Sequence, residues 1–191
     1  MKLCFATNNE HKLEEVRQIL GDRFQILSLK DIGFEGELPE THETLEENSF
    51  EKAEYLFERF QIPIFSDDSG LEVHSLNGRP GVHTAYYAGD RNASKNMAKV
   101  LEELAEHTDR SAQFRAVVTF IDTNGHHQFE GIIEGQIAPE MTGEDGFGYD
   151  PIFLPEGYNK TFAQLSAEVK NTMSHRKRSV EKLAQFLKAL N

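Results

Sequence analysis

The sequence has a single cysteine, no tryptophan and no long apolar run. One cysteine excludes an intramolecular disulfide, and Cys4, set in the apolar start of the chain, reads as a buried structural thiol. No stretch approaches the ~20 apolar residues of a membrane span. The opening Met-Lys-Leu-Cys-Phe-Ala-Thr-Asn-Asn-Glu has no signal-type apolar region with a cleavage site, so the expected compartment is the cytoplasm. Positive charge is scarce as well: 20 Lys and Arg stand against 32 Asp and Glu, a net charge of -12. That balance argues against a nucleic acid polymer or an anionic membrane as partner, though not against a phosphorylated small molecule bound at a local positive site. Internal repeats, low-complexity tracts and long linkers are missing too. With 38 % hydrophobic and 27 % charged residues, the 191 residues read as an ordinary globular protein: one domain, 1–191, large enough for a pronounced second lobe.

What is present alternates between strand and helix patterns. Leu3 to Ala6 reads as a short buried strand. Glu10 to Leu20 reads as a helix, with Leu13, Val16, Ile19 and Leu20 on one face and Gly21 as its stop. Phe24 to Leu29 suits a second strand, and residues 31–43 a loop. Thr44 and Glu47 resemble a capping box ahead of a helix carrying Phe50, Ala53, Leu56, Phe57 and Phe60. The apolar run Ile62 to Phe65 predicts a strand that stops in Asp67-Asp68-Ser69-Gly70, with Leu71-Glu72-Val73 as a continuation. A turn-rich loop follows at Asn77 to Gly81, then a helix opened by Ser94. Phe114 to Ile121 and Gln128 to Ile137 form a hairpin about Thr123-Asn124-Gly125, and a last helix runs from about Arg178 to Leu190. The expected fold is α/β: a mixed sheet covered by helices, extended by the antiparallel hairpin.

Four polar clusters carry chemical potential. Asp67, Asp68 and Ser69 at a strand end suit a hard cation or proton transfer from water, but equally a capping turn. Thr7-Asn8-Asn9-Glu10-His11-Lys12 lies between strand and helix, where backbone N–H groups and Lys12 attract phosphate; it also reads as a simple helix cap, and it lacks the glycine spacing of a P-loop. Gly146-Phe147-Gly148-Tyr149-Asp150-Pro151 offers rings for stacking on a base and a carboxylate for a ring N–H or sugar hydroxyl, or else a loop packed on the sheet. Lys170 with His175-Arg176-Lys177-Arg178 is the one dense basic patch, fit for phosphate or a carbonyl oxygen, or a solvated helix face. Glu40 sits in an acidic stretch with Glu37, Glu43, Glu46 and Glu47 that a helix dipole alone explains. The remaining histidines show no zinc spacing. Together the clusters match a magnesium nucleoside-triphosphate enzyme.

The ordered set Ala6-Thr7-Asn8-Asn9 with Lys12, Glu40-Thr41 through Lys52-Ala53, Asp67-Asp68-Ser69-Gly70-Leu71, Asn77 to Val82, Gly146 to Phe153 and Ser174-His175-Arg176 resembles the inosine triphosphate pyrophosphatase family, also called Ham1-like. The resemblance implies hydrolysis of (deoxy)inosine and xanthosine triphosphates to the monophosphate and pyrophosphate. It implies magnesium, a homodimer, and an elongated mixed sheet in two lobes about a central cleft. By motif, Asp68 is implied as the proton acceptor, and Glu40 with Asp68 as the metal ligands, supported by Asp67. Thr7, Asn9, Lys12, Ser69 and Lys170 would meet the triphosphate, and Asn8, Glu10 and His11 would bind substrate beside them. Phe147 would stack on the purine, and Gly148, Tyr149, Asp150, His175 and Arg176 would surround base and sugar. The chain departs from the family pattern at His42, at Thr84-Ala85-Tyr86-Tyr87 and at Met141 to Asp145. Two rivals stay open at this stage: a pyrophosphatase for another modified nucleotide, and a nucleotide-binding module without turnover.

Overall fold

The computed structural model describes residues 1–190, without the side chains of Asp22, Ala167 and Asn171. Six strands form one sheet in the order β2-β1-β3-β4-β5-β6: β1 Lys2–Ala6, β2 Gln25–Leu27, β3 Ile64–Val73, β4 Ser111–Asp122, β5 Gly125–Ile137 and β6 Phe153–Pro155. The helices are α1 Glu10–Leu20, α2 Leu45–Phe60, α3 Ala93–Glu103, α4 Ala167–Met173 and α5 His175–Ala189. Strand β1 is parallel to β2 (Leu3 opposite Ile26) and to β3 (Phe5 opposite Phe65), while β5 and β6 are antiparallel. The expected α/β fold with a mixed sheet and flanking helices is the observed one. No helix among the described residues is long and apolar enough to cross a membrane.

The chain divides into two compact units. The first holds Met1–Asp68, Ala116–Gly131 and Arg176–Asn191; the second holds Ser69–Arg115 and Ile132–His175. In the first unit β1-α1-β2 steps one way along the sheet, and β2-α2-β3 returns the other way past β1. Right-handed connections therefore put α1 and α2 on opposite faces of the sheet. Alternate residues of β1 feed the two resulting cores. Leu3 and Phe5 pack with Leu13 and Val16 of α1 and Val180, Leu183 and Leu187 of α5. Cys4 and Ala6 pack with Ala53 and Leu56 of α2. Each such buried Leu, Val or Phe side chain contributes about 1.5–3 kcal/mol over its exposed state. Phe5 and Phe65, register partners, stack at 4.6 Å.

In the second unit α3 lays Met97 and Val100, with Leu104 just past its end, on Leu71, Val73, Ile133 and Ile137. An aromatic cluster of Phe114, Phe153 and Phe162 continues this core.

Several element boundaries differ from expectation. The strand predicted to stop at Asp67-Asp68-Ser69-Gly70 does not stop; β3 runs through it to Val73. Residues 79–84 hold its far half: the Val73 N–H donates to the Arg79 carbonyl, the Leu71 N–H donates to Thr84 Oγ1, and Glu72 bridges Pro80. Gly70 permits this approach, because a Cβ there would lie 2.8 Å from the Gly81 carbonyl carbon. Strand β2 is shorter than predicted, because the Asp31 carboxylate accepts from both the N–H and the hydroxyl of Ser28 and turns the chain. Helix α5 begins at His175 rather than near Arg178, and α4 and β6 were not anticipated.

Candidate active site

Register places the first unit's polar cluster. Strand β1 ends at Ala6 opposite Ser66, and β3 continues past it, so Asp67 and Asp68 lie beyond the carboxyl end of β1. This is where the strand order reverses, the position at which open α/β sheets bind ligands. Successive strand residues point to opposite faces. Asp67 follows Phe65 toward α1 and α5, whereas Asp68 follows Ile64 and Ser66 toward α2. The two carboxylates are therefore not one pair but members of two separate networks.

On the α1/α5 face, Asp67 accepts from Lys12 Nζ at 3.0 Å through Oδ1 and from Arg176 Nε at 3.1 Å through Oδ2. Arg176 also donates from Nη1 to Glu15 at 2.6 Å. Burial alone would raise the Asp67 carboxyl, but Lys12, Arg176 and Lys52 outweigh it and hold it well below the usual carboxylate range. Asp67, expected to support a metal, has each oxygen on a cation. Arg176, expected beside base and sugar, is buried with its guanidinium on Asp67 and Glu15.

On the α2 face, the Lys52 ammonium donates to Asp68 at 3.3 Å and also to Glu40. Lys52 is buried, while Glu40 is 45 % exposed at its side chain. Burial lowers the Lys52 proton affinity, but Asp68, Glu40 and Asp67 outweigh it, so the ammonium is held charged and above its usual value. Burial pushes the Asp68 carboxyl up, against the opposing pull of Lys52 and Lys12. The loop bearing Glu40 is clamped to α2. Thr41 donates to Glu51 from both its N–H and its hydroxyl, and the backbone of His42 exchanges two hydrogen bonds with the Asn48 side chain. Among the described residues only Gln61 and Asn77 are non-glycine residues at positive φ, so His42 stands in ordinary backbone. Two carboxylates meeting on one cation is a donor set that suits magnesium, which keeps several waters and takes further oxygens from phosphate. Among the described residues no group of three His, Cys, Asp or Glu side chains is placed to hold a metal. Any such ion would therefore depend on water and substrate for the rest of its shell.

At the start of α1, Asn9 caps the helix: its Oδ1 accepts from the N–H groups of His11 and Lys12, and its own N–H donates to Thr7 Oγ1. Two of the N–H groups that would greet an anion are thus already engaged. Asn8 donates to the Gly36 carbonyl, and Glu10 and His11 are exposed on the first turn. Lys12 is the cation this cluster offers.

The second unit gathers the aromatic motif. Asp150 Oδ2 accepts from the Phe147 N–H at 2.8 Å and from the Lys170 ammonium, which stands 4.4 Å from the centre of the Phe147 ring. Gly146, at φ 84°, is required here, since a Cβ would lie 2.9 Å from Asp150 Cγ. Phe147 is 46 % exposed, and Gly148 follows it in the same turn-rich loop. Tyr149 is buried and donates its hydroxyl to the Thr84 carbonyl, which ties the 84–87 departure to this loop. His175 stacks on Phe114 at 5.0 Å, and Ser69 is half-buried on β3. The 141–145 departure is anchored by the Thr142 N–H to the Pro151 carbonyl and by the Thr161 hydroxyl to the Thr142 carbonyl.

The structure thus brings Asp68 to Glu40, Asp67 to Lys12 and Arg176, and Lys170 to Phe147 and Asp150. Sequence reasoning gave no role to Lys52 or Glu15. Lys52 had a signal: it falls on the buried stripe of α2 with Ser49, Ala53 and Leu56, where a charge needs a partner. Glu15, on the α1 face beside Val16, carried none.

Known proteins share this arrangement of elements. The sequence profile of the Ham1 family matches residues 3–186. A dITP/XTP pyrophosphatase of Porphyromonas gingivalis is 50 % identical over 188 residues, covering 97 % of each chain. One from Flavobacterium johnsoniae is 46 % identical over 190 residues, covering 99 % of each. The solved structure of the Staphylococcus aureus Ham1 protein superposes with a TM-score of 0.93 at 36 % identity, covering 100 % of both chains. A profile match across nearly every element described above, together with such identity end to end, means that the chain belongs to the Ham1 family.

Proposed function

We propose that this protein is a magnesium-dependent pyrophosphatase for non-standard purine nucleotides, converting ITP, dITP, XTP and dXTP to the monophosphate and pyrophosphate. The observation that carries the reading is the convergence of Asp68 and Glu40 on the Lys52 ammonium beyond the carboxyl end of β1, on the unit that also holds Lys12. Relatives named dITP/XTP pyrophosphatase support the choice of substrate.

Glu40 and Asp68 are the residues that would hold magnesium, which when bound neutralises the polyphosphate and fixes its geometry. Asp68 takes the proton of the attacking water. The water oxygen bonds to the α-phosphorus, the bond from that phosphorus to the bridging oxygen breaks, and pyrophosphate leaves with the electron pair. Burial that raises the Asp68 carboxyl makes it a stronger base than an exposed aspartate. Lys12 meets phosphate charge. In the second unit Phe147 stacks on the base, a contact worth about 1–3 kcal/mol in nucleic-acid sites. A donor such as His175, Lys170 or a loop N–H pairs with the 6-keto oxygen and is left unpaired by adenine, which disfavours ATP. Guanine shares the 6-keto group, so its exclusion falls on the 2-amino group.

The reading also carries a homodimer, checked by light scattering on purified protein, and action on the free nucleotide pool of the cytoplasm. Its test is pyrophosphate release with magnesium across ITP, XTP, GTP and ATP. ITP and XTP should turn over much faster than ATP; orthophosphate as product, or no turnover, overturns it.

A further inference from the structure

We propose that Asp67 is a positioning residue that acts through Lys12, fixing the ammonium that meets the triphosphate; the inference rests on the function proposed above. Asp67 is 1 % exposed at its side chain and Lys12 is 18 % exposed, so the carboxylate is sealed while the lysine side chain keeps part of its surface open. Lys12 has three N–H donors and gives one to Asp67, leaving the others for a ligand. Arg176 occupies the second oxygen of Asp67 and is itself held by Glu15 on α1, the helix that carries Lys12. The carboxylate is thus fixed from behind by α5 while it holds a cation in front. For packing alone this is a costly arrangement: a buried ion pair is often no more stabilising than apolar residues of the same volume. An ammonium held in place before substrate arrives needs no reorganisation as charge develops on the phosphate, which is where preorganised charge accelerates a reaction.

The test compares wild type, Asp67→Asn, Lys12→Ala and the double variant in magnesium-dependent pyrophosphate release from dITP. In Asp67→Asn Lys12 loses the carboxylate that both fixes its ammonium and favours its charge against burial. The expected result is a kcat lower by about tenfold or more, with KM changed much less, and no additional loss when Asp67→Asn is placed on Lys12→Ala. Asp67→Asn leaves Arg176 without its partner on β3, so Asp67→Asn/Arg176→Met, which removes both members of the buried pair, is measured beside it and should show the same fall in kcat. A lowered melting temperature with kcat unchanged means that Asp67 serves the fold alone and overturns the proposal. Losses that multiply in the double variant overturn it too, since Asp67 then acts by another route. Wild-type protein that releases no pyrophosphate overturns the functional reading and this inference with it, whereas active wild type with unaffected variants overturns the inference alone.

Discussion

Lys52 and Cys4 show how a single side chain is governed by what surrounds it. A buried lysine ordinarily loses its proton more easily, yet Lys52 keeps it, because two carboxylates converge on it from β3 and from the loop before α2. Cys4 has no such partner. Its thiol points into the core beside α2, and burial first, then the charge of Asp31, push its pKa up to about 12. It should therefore resist iodoacetamide at pH 8 in the native protein and react fully once the chain is unfolded in urea, as read by mass spectrometry. The linkage sign follows from the raised folded value. The stability Cys4 contributes is complete below the ordinary thiol pKa and is lost as pH rises toward about 12. Urea unfolding of wild type and Cys4→Ala above pH 9 should show the steeper decline in the wild type.

At the scale of elements, β3 decides the layout of the first unit, and Gly70 decides that β3 continues. Gly70→Ala should destabilise the protein by about 1–3 kcal/mol, the usual cost of forcing atoms into a filled space, because the new methyl meets backbone rather than a movable side chain. Chemical denaturation measures this directly; an unchanged midpoint contradicts the contact. The same strand shows where periodicity ceases to inform. Apolar spacing located α1 and α3 because their buried residues are mostly apolar, and α2 because Leu45, Ala53 and Leu56 mark its buried stripe among polar Asn48, Ser49 and Lys52. Asp-Asp-Ser-Gly looked like a strand end because the partners that bury it, Lys12, Arg176 and the 79–84 segment, are distant in sequence. The start of α5 was hidden for a related reason: His175, Arg176 and Ser179 are buried polar residues, and a helix turn whose inward side chains are polar carries no hydrophobic signature. The short β6 and α4 offered too few residues for a pattern.

For the whole molecule, the motifs were legible one by one, and the resemblance they carried agrees with the family match; their grouping was not legible. Adjacent Asp67 and Asp68 belong to different networks because a strand alternates its faces, and adjacent His175 and Arg176 belong to different units. In the proposed function the polyphosphate chemistry falls to residues of the first unit and base recognition to residues of the second. This division predicts separable losses. Phe147→Ala removes the ring for stacking, and with it the Lys170 contact, and should raise KM for dITP by about tenfold, within the range that 1–3 kcal/mol allows, with a smaller effect on kcat; steady-state kinetics on dITP checks it. Asp68→Asn should do the reverse, lowering kcat by about 10²-fold or more as a general base is lost.

The most direct test of the central claim is therefore pyrophosphate release from ITP and XTP, against GTP and ATP, by wild type and Asp68→Asn side by side with magnesium. The account predicts rapid release by the wild type, strong preference over ATP, and collapse of kcat in Asp68→Asn with the substrate still bound. Equal rates in the two proteins, or orthophosphate in place of pyrophosphate, would contradict it.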